Sequence, residues 1–175
     1  LILTKPLGVG IYSAALKKGL MDDAAYAEMI GTTTLLNKVG TTLARNAAVH
    51  AITDVTGFGI LGHAAEMARG SRATLRIEAA ALPLLSQAAD WAQAGHVTGA
   101  SKRNWASYGD DVRLPEGLPG WQRHLLTDPQ TSGGLLVSCD AGEADGLVEV
   151  IRAAGYPNVA RIGTVLSGPS IVEVV

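Results

Sequence analysis

Residues 50–63 read HAITDVTGFGILGH, and this stretch decides how the chain around it folds. Val49 to Ile52 is apolar apart from His50, so Thr53, Asp54 and Thr56 sit where a short strand would stop. Gly57, Gly59 and Gly62 then punctuate Phe58, Ile60 and Leu61, and Ala64 to Ala68 continues as helix-forming sequence. The local pattern is strand, tight turn, helix. Such a turn presents backbone N–H groups at the positive end of a helix, which favours phosphate, and a nearby carboxylate favours the cation that phosphate carries. Two readings follow. Asp54, Thr56 and Gly57 build a Mg-nucleotide site, or Asp54 or Thr56 caps the helix while the glycines permit positive φ.

Outward from this stretch, strand and helix patterns alternate. Leu1 to Thr4 reads as a strand, the Lys5-Pro6-Leu7-Gly8 turn leads to a helix over Ile11 to Lys18, and Gly19 stops it. Asp22 or Asp23 caps a helical stretch to about Ala48, with Gly31, Thr32 to Thr34 and Gly40 leaving one broken helix or two. After the Phe58 to Arg69 helix come a strand at Thr74 to Glu78 and an alanine-rich amphipathic helix at Leu84 to Ala94. The pattern is lost from His96 to Gly120, which predicts an irregular and mobile segment. It returns as Trp121 to Leu126, a strand at Leu135 to Cys139, a helix at Ala141 to Ala154, and strands at Ala160 to Leu166 and Ile171 to Val175 that suggest a hairpin-like end. This order predicts an α/β or α+β layer fold, with helices packed on a mixed β-sheet, as a single domain over residues 1–175. The chain opens on LILTKPLG without an initiator Met, which leads us to expect a preceding N-terminal domain.

A chain of 175 residues with 47% hydrophobic and 17% charged residues supports a proper core. Fourteen basic against sixteen acidic residues give a net charge of −2, so nothing points to nucleic acid or an anionic membrane. The single cysteine, Cys139, lies in the apolar run LLVSC and excludes an internal disulfide. It reads as a buried, inert thiol in a reducing, cytoplasmic setting. No apolar run approaches the roughly twenty residues of a membrane helix, and no signal peptide is visible.

A second loop matches the chemistry of the first. TDPQTSGG at residues 127–134 repeats Thr-Asp, a further Thr and glycines beside an apolar element, which makes Asp128 and Thr131 candidate nucleotide-binding residues. The alternative is a Pro129 turn in which Asp128 bonds its own backbone. Lys102-Arg103-Asn104 forms a third candidate, since the Arg103 guanidinium and Asn104 amide on a loop could close over phosphate oxygens, or simply solvate the loop. His50, His63, His96 and His124 have no mutual metal-ligand spacing. There is no P-loop signature and no nucleophile elbow, and Ser132 has no recognisable base nearby.

Four blocks go beyond these physical signals. LILTKPLGVGI, AVHAITDVTGFGILGHAAEMA, GASKRNWASYG and LLTDPQTSGGLLVSC occur in this order across nearly the whole chain, and together they resemble the C-terminal domain of the selenophosphate synthetases. The resemblance implies a PurM-like C-terminal domain and, for the whole protein, an enzyme that uses ATP, Mg²⁺, water and selenide to make selenophosphate, AMP and orthophosphate. It also implies a homodimer, and Asp54 at the position that helps bind Mg²⁺. The family's glycine-rich segment with a reactive Cys or selenocysteine and a Lys belongs to the N-terminal domain. Neither Cys139 nor Lys5 matches those positions, so no catalytic residue is expected in this chain.

Overall fold

The strand that ends on Asp54 and the strand that begins at Leu135 lie side by side and antiparallel, with Asp54 opposite Leu135, Thr53 opposite Leu136 and Ile52 opposite Val137. Because the end of one meets the start of the other, the two Thr-Asp loops emerge at the same edge of the sheet. The computed structural model describes residues 1–175. Its strands are β1 (Ile2–Leu3), β2 (Val49–Asp54), β3 (Thr74–Ile77), β4 (Val112–Arg113), β5 (Leu135–Cys139), β6 (Ala160–Arg161), β7 (Gly163–Leu166) and β8 (Val172–Val174). Its helices are α1 (Val9–Leu16), α2 (Asp23–Thr34), α3 (Gly40–Leu43), α4 (Gly59–Ser71), α5 (Ala88–Gln93), α6 (Gly99–Tyr108), α7 (Gly120–Leu126) and α8 (Ala144–Ala153).

The strands form two four-stranded sheets, in the orders β2-β5-β1-β6 and β4-β8-β3-β7. All pairs in the first are antiparallel. In the second, β8 runs parallel to β3 and β4 while β7 is antiparallel to β3. The α/β character holds, but one mixed sheet becomes two. The Ala160 to Leu166 stretch is the link: it leaves the first sheet as β6 and enters the second as β7. Gly163 makes the crossing at φ 154°, where a side chain would collide with the Arg76 carbonyl. The terminal strands form no hairpin, because β7 and β8 lie on opposite sides of β3.

Side chains alternate across the first sheet. Leu3 and Leu136 join the larger core with Ile60, Leu61 and Ala64 of α4, while Ile2, Leu135 and Val137 face Leu147, Val148 and Ile151 of α8. With both faces covered, β5 is apolar apart from the buried Ser138. Cys139 ends it half-buried, and burial pushes its thiol pKa up. A third cluster packs Val9 and Tyr12 of α1 on Ala25 and Met29 of α2 and on Ala88 of α5.

Two further expectations change, and one left open is decided. The His96 to Gly120 segment is not irregular throughout: α6 fills its centre, and the Thr98 hydroxyl caps the helix by accepting from the Ser101 N–H at 3.2 Å. The helical stretch after Asp22 divides, with Asp22 accepting from Ala25 N–H at 2.8 Å at its start. Lys5 Nζ takes the Leu35 carbonyl just beyond the end of α2, at 2.5 Å. The Leu84 to Ala94 helix begins only at Ala88, because Leu7 and the Pro83 to Leu85 segment exchange backbone hydrogen bonds.

Candidate functional site

Asp54 is exposed at the end of β2, and none of the chain's ion pairs uses it. It does not cap α4, whose first turn follows Phe58 without any side-chain cap. Neither does Thr56. The loop that carries them is held instead by its neighbour. Val55 N–H donates to Gly134 O at 2.8 Å, and Gln130 N–H donates to Thr56 O at 2.9 Å. Asn104 Nδ2 donates to both Gly57 O, at 2.8 Å, and Thr127 O, at 3.0 Å, which ties the two loops together from α6.

The close approach of the loops depends on glycine. Gly59 has φ 70°, and a side chain there would place its Cβ 2.8 Å from the Thr127 carbonyl carbon. We therefore expect Gly59→Ala to destabilise the domain by at least about 2 kcal/mol, combining backbone strain with overpacking. A urea midpoint equal to that of the parent would contradict the packing described here.

Asp128 belongs to a different arrangement. Its carboxylate is fully buried, and Oδ2 accepts from Gly10 N–H at 2.8 Å, Ile11 N–H at 3.2 Å and Gln130 Nε2 at 3.1 Å. Gln130 Oε1 accepts from the N–H groups of Gly8 and Val9, each at 3.2 Å. Two side chains of the second loop thus satisfy the four N–H groups that open α1, where no intrahelical acceptor exists. This corrects the expectation for Asp128, whose oxygens face the helix and not a ligand. The first-loop reading of a free carboxylate and the second-loop reading of a binding carboxylate therefore part company. Burial raises the Asp128 pKa to about 7 against the pull of these donors, and Oδ1 has no partner.

The remaining candidates are spread over the same region. Thr131 is exposed on the second loop. Arg103 is exposed on α6 beside the buried Asn104, so these two sit on a helix and not on a loop that could close. Asn104 spends its amide N–H groups on backbone carbonyls, which makes it a brace.

Sequence reasoning passed over two residues. Lys5 is buried, and its Nζ donates to Ser132 O at 2.7 Å as well as to Leu35, so it anchors the second loop where Ser132 takes φ 50°. Desolvation lowers its pKa. His63 is also buried, with Nε2 3.1 Å from Thr56 Oγ1 and Nδ1 3.0 Å from Glu66 Oε2. A Thr seven residues before a His and a Glu three after it was the available signal, since residues three apart share a helix face. No group of three or more His, Cys, Asp or Glu side chains comes together as a metal cage. A single free carboxylate such as that of Asp54 could supply one ligand to Mg²⁺, which is held by one or two carboxylates together with waters and phosphate oxygens.

A family model described as AIR synthase related protein, C-terminal domain, matches residues 1–175. The chain belongs to this family. Relatives of this AIR-synthase-type domain include a selenide, water dikinase of Rhizobium meliloti (strain 1021), 58% identical over 175 residues, which are the whole of this chain and 50% of the relative. A selenide, water dikinase of Paraburkholderia xenovorans (strain LB400) is 55% identical over 175 residues, again the whole chain and 49% of the relative. The chain thus spans about half the length of the curated relatives it matches. Among solved structures, HypE from E. coli aligns with TM-score 0.66 and 19% identity, over 99% of this chain and 45% of that one. Thiamine-monophosphate kinase from Stenotrophomonas maltophilia K279a aligns with TM-score 0.63 and 19% identity, over 99% and 48%. At these identities the likeness shows the fold alone: it is the layer fold that the alternation of elements predicts, in the PurM-like form that the resemblance implies. No helix is long and apolar enough to cross a membrane.

Proposed function

We propose that this chain is one half of a selenide, water dikinase and that it supplies Asp54 to a Mg²⁺-nucleotide site shared with the other half. The observation that carries the reading is the 58% identity, over the whole chain, to a relative of that name, against 19% to the thiamine-monophosphate kinase and HypE structures. The whole protein would convert ATP, selenide and water to selenophosphate, AMP and orthophosphate, as a cytoplasmic homodimer.

The residues of this domain support a division of labour. β2 and β5 fix the sheet edge, and Asn104 and Lys5 hold the two loops on it. Asp54 stands free of caps and ion pairs, with its charge available to a cation. Thr56, Gly57 and Thr131 lie on the two loops at the same edge, and Arg103 offers a cationic side chain from α6. Bound Mg²⁺ would neutralise the phosphate charge that develops during transfer. The nucleophile would come from the other half, because Cys139 lies at the far end of β5 and Lys5 is consumed by carbonyls.

The full-length protein is expected to form AMP from ATP only when selenide is present, while the purified 175-residue chain folds and forms none above a blank. AMP formation by the short chain would refute the division of labour. Selenide-independent phosphorylation of another acceptor by the full-length protein would refute the reaction.

A further inference from the structure

Thr56, His63 and Glu66 form a line of three side chains behind the loop that carries Asp54. Thr56 Oγ1 meets His63 Nε2 at 3.1 Å, and His63 Nδ1 meets Glu66 Oε2 at 3.0 Å. His63 is only 7% exposed and lies beside the Phe58 ring, with centroids 5.7 Å apart. Glu66 opens onto a cleft of about 240 Å³ that Phe58, Arg69 and Tyr108 also line.

The direction of each hydrogen bond follows from the chemistry of the groups. An ionised carboxylate only accepts, so Glu66 places the imidazole proton on Nδ1. When the ring carries this proton alone, Nε2 holds a lone pair and the Thr56 hydroxyl donates to it. A hydroxyl has one hydrogen. With that hydrogen turned to His63, Thr56 Oγ1 has only lone pairs left for any further partner, two residues from Asp54. Such an oxygen suits a cation or a water bound to it and cannot donate to a phosphate oxygen.

We infer that His63, oriented by Glu66, is a positioning residue that keeps Thr56 as an acceptor-only oxygen beside Asp54, so that Thr56 serves the cation or its bound water. The inference rests on the proposed role of Asp54 and adds to it a division of labour: Thr56 serves the cation alongside Asp54, and phosphate contacts fall to backbone N–H groups, to Arg103 and to the other half of the protein. It also assigns Glu66 a task two steps from the metal, setting the tautomer of the ring that sets the hydroxyl.

The test uses the full-length protein, with Mn²⁺ as the probe in the presence of a non-hydrolysable ATP analogue. In the unliganded protein, ¹⁵N chemical shifts should show His63 with Nδ1 protonated and Nε2 bare. Thr56→Val and His63→Ala should each weaken Mn²⁺ binding about tenfold. Combining them should cost no more than either alone, because both remove one hydroxyl orientation. Thr56→Val preserves shape, so it carries the test if His63→Ala does not fold. A protonated Nε2, unchanged Mn²⁺ affinity in Thr56→Val, or fully additive losses would overturn the inference. Asp54→Asn separates the two levels: if it leaves Mn²⁺ affinity intact, the metal reading itself falls; if it weakens binding while Thr56→Val does not, only the role given to His63 falls.

Discussion

On the proposed reaction, replacing Asp54 by Asn in the full-length protein should lower selenide-dependent AMP formation about a hundredfold, equivalent to about 2 to 3 kcal/mol of transition-state stabilisation. The substitution keeps the shape of the side chain and removes the charge that would hold a cation against developing phosphate charge. Stability should move by less than about 0.5 kcal/mol, as is usual for an exposed side chain with no partner to lose. The geometry makes the two effects separable. Asp54 neither caps α4 nor joins an ion pair, so a folding defect would have no structural origin. Activity and Mg²⁺ dependence like those of the parent protein would remove Asp54 from the site.

The elements that were legible in the sequence are those whose information is local. HAITDVTGFGILGH shows its strand, turn and helix because apolar spacing changes from one period to the other within fourteen residues. β5 and α8 were visible for the same reason. What escaped reading depends on partners far along the chain. α6 looked irregular because Lys102, Arg103 and Asn104 are polar, although its Thr98 cap was a readable signal. Asn104 was expected to reach phosphate oxygens, but its bonds to Gly57 and Thr127 make it a brace, and only the folded chain brings those carbonyls together. His63 was set aside because no metal spacing surrounded it. Its partners are a hydroxyl and a carboxylate on the same turn-helix unit, a pattern outside the search for metal ligands. The two Thr-Asp loops looked alike and turned out unlike, because β2 ends facing solvent while the second loop folds under α1. Burial, which no short motif encodes, assigns one carboxylate to the surface and the other to the core.

The buried carboxylate leads to a second large effect, on stability. Asp128 has its pKa raised from 3.8 to about 7, chiefly by burial, so between those values the folded chain keeps a proton that the unfolded chain releases. The sign follows from linkage: this group's contribution is fully present below about pH 4 and is lost as pH rises through about 7. The amplitude is about 4 kcal/mol at most, at 1.36 kcal/mol per pKa unit. Asp128→Asn should remove it. Oδ2 already accepts three donors and Oδ1 has none, so the proton of the neutral acid sits on Oδ1, where the amide nitrogen of Asn would lie. Asn cannot ionise, so it lacks this pH dependence, although its amide buries two N–H groups where Oδ1 has no partner. Measured by urea unfolding, the parent chain should lose about 2 to 4 kcal/mol relative to the Asn variant between pH 4 and pH 8, whatever the offset between the two at pH 4. Asp128→Ala behaves differently, since it strands the N–H groups of Gly10 and Ile11 at the start of α1, and it should cost about 3 kcal/mol even at pH 5. Parallel pH profiles for the parent and Asn chains would mean that Asp128 stays ionised on its three donors throughout. The helix terminus would then outweigh desolvation, and α1 would be held by a charge instead of by a neutral acid.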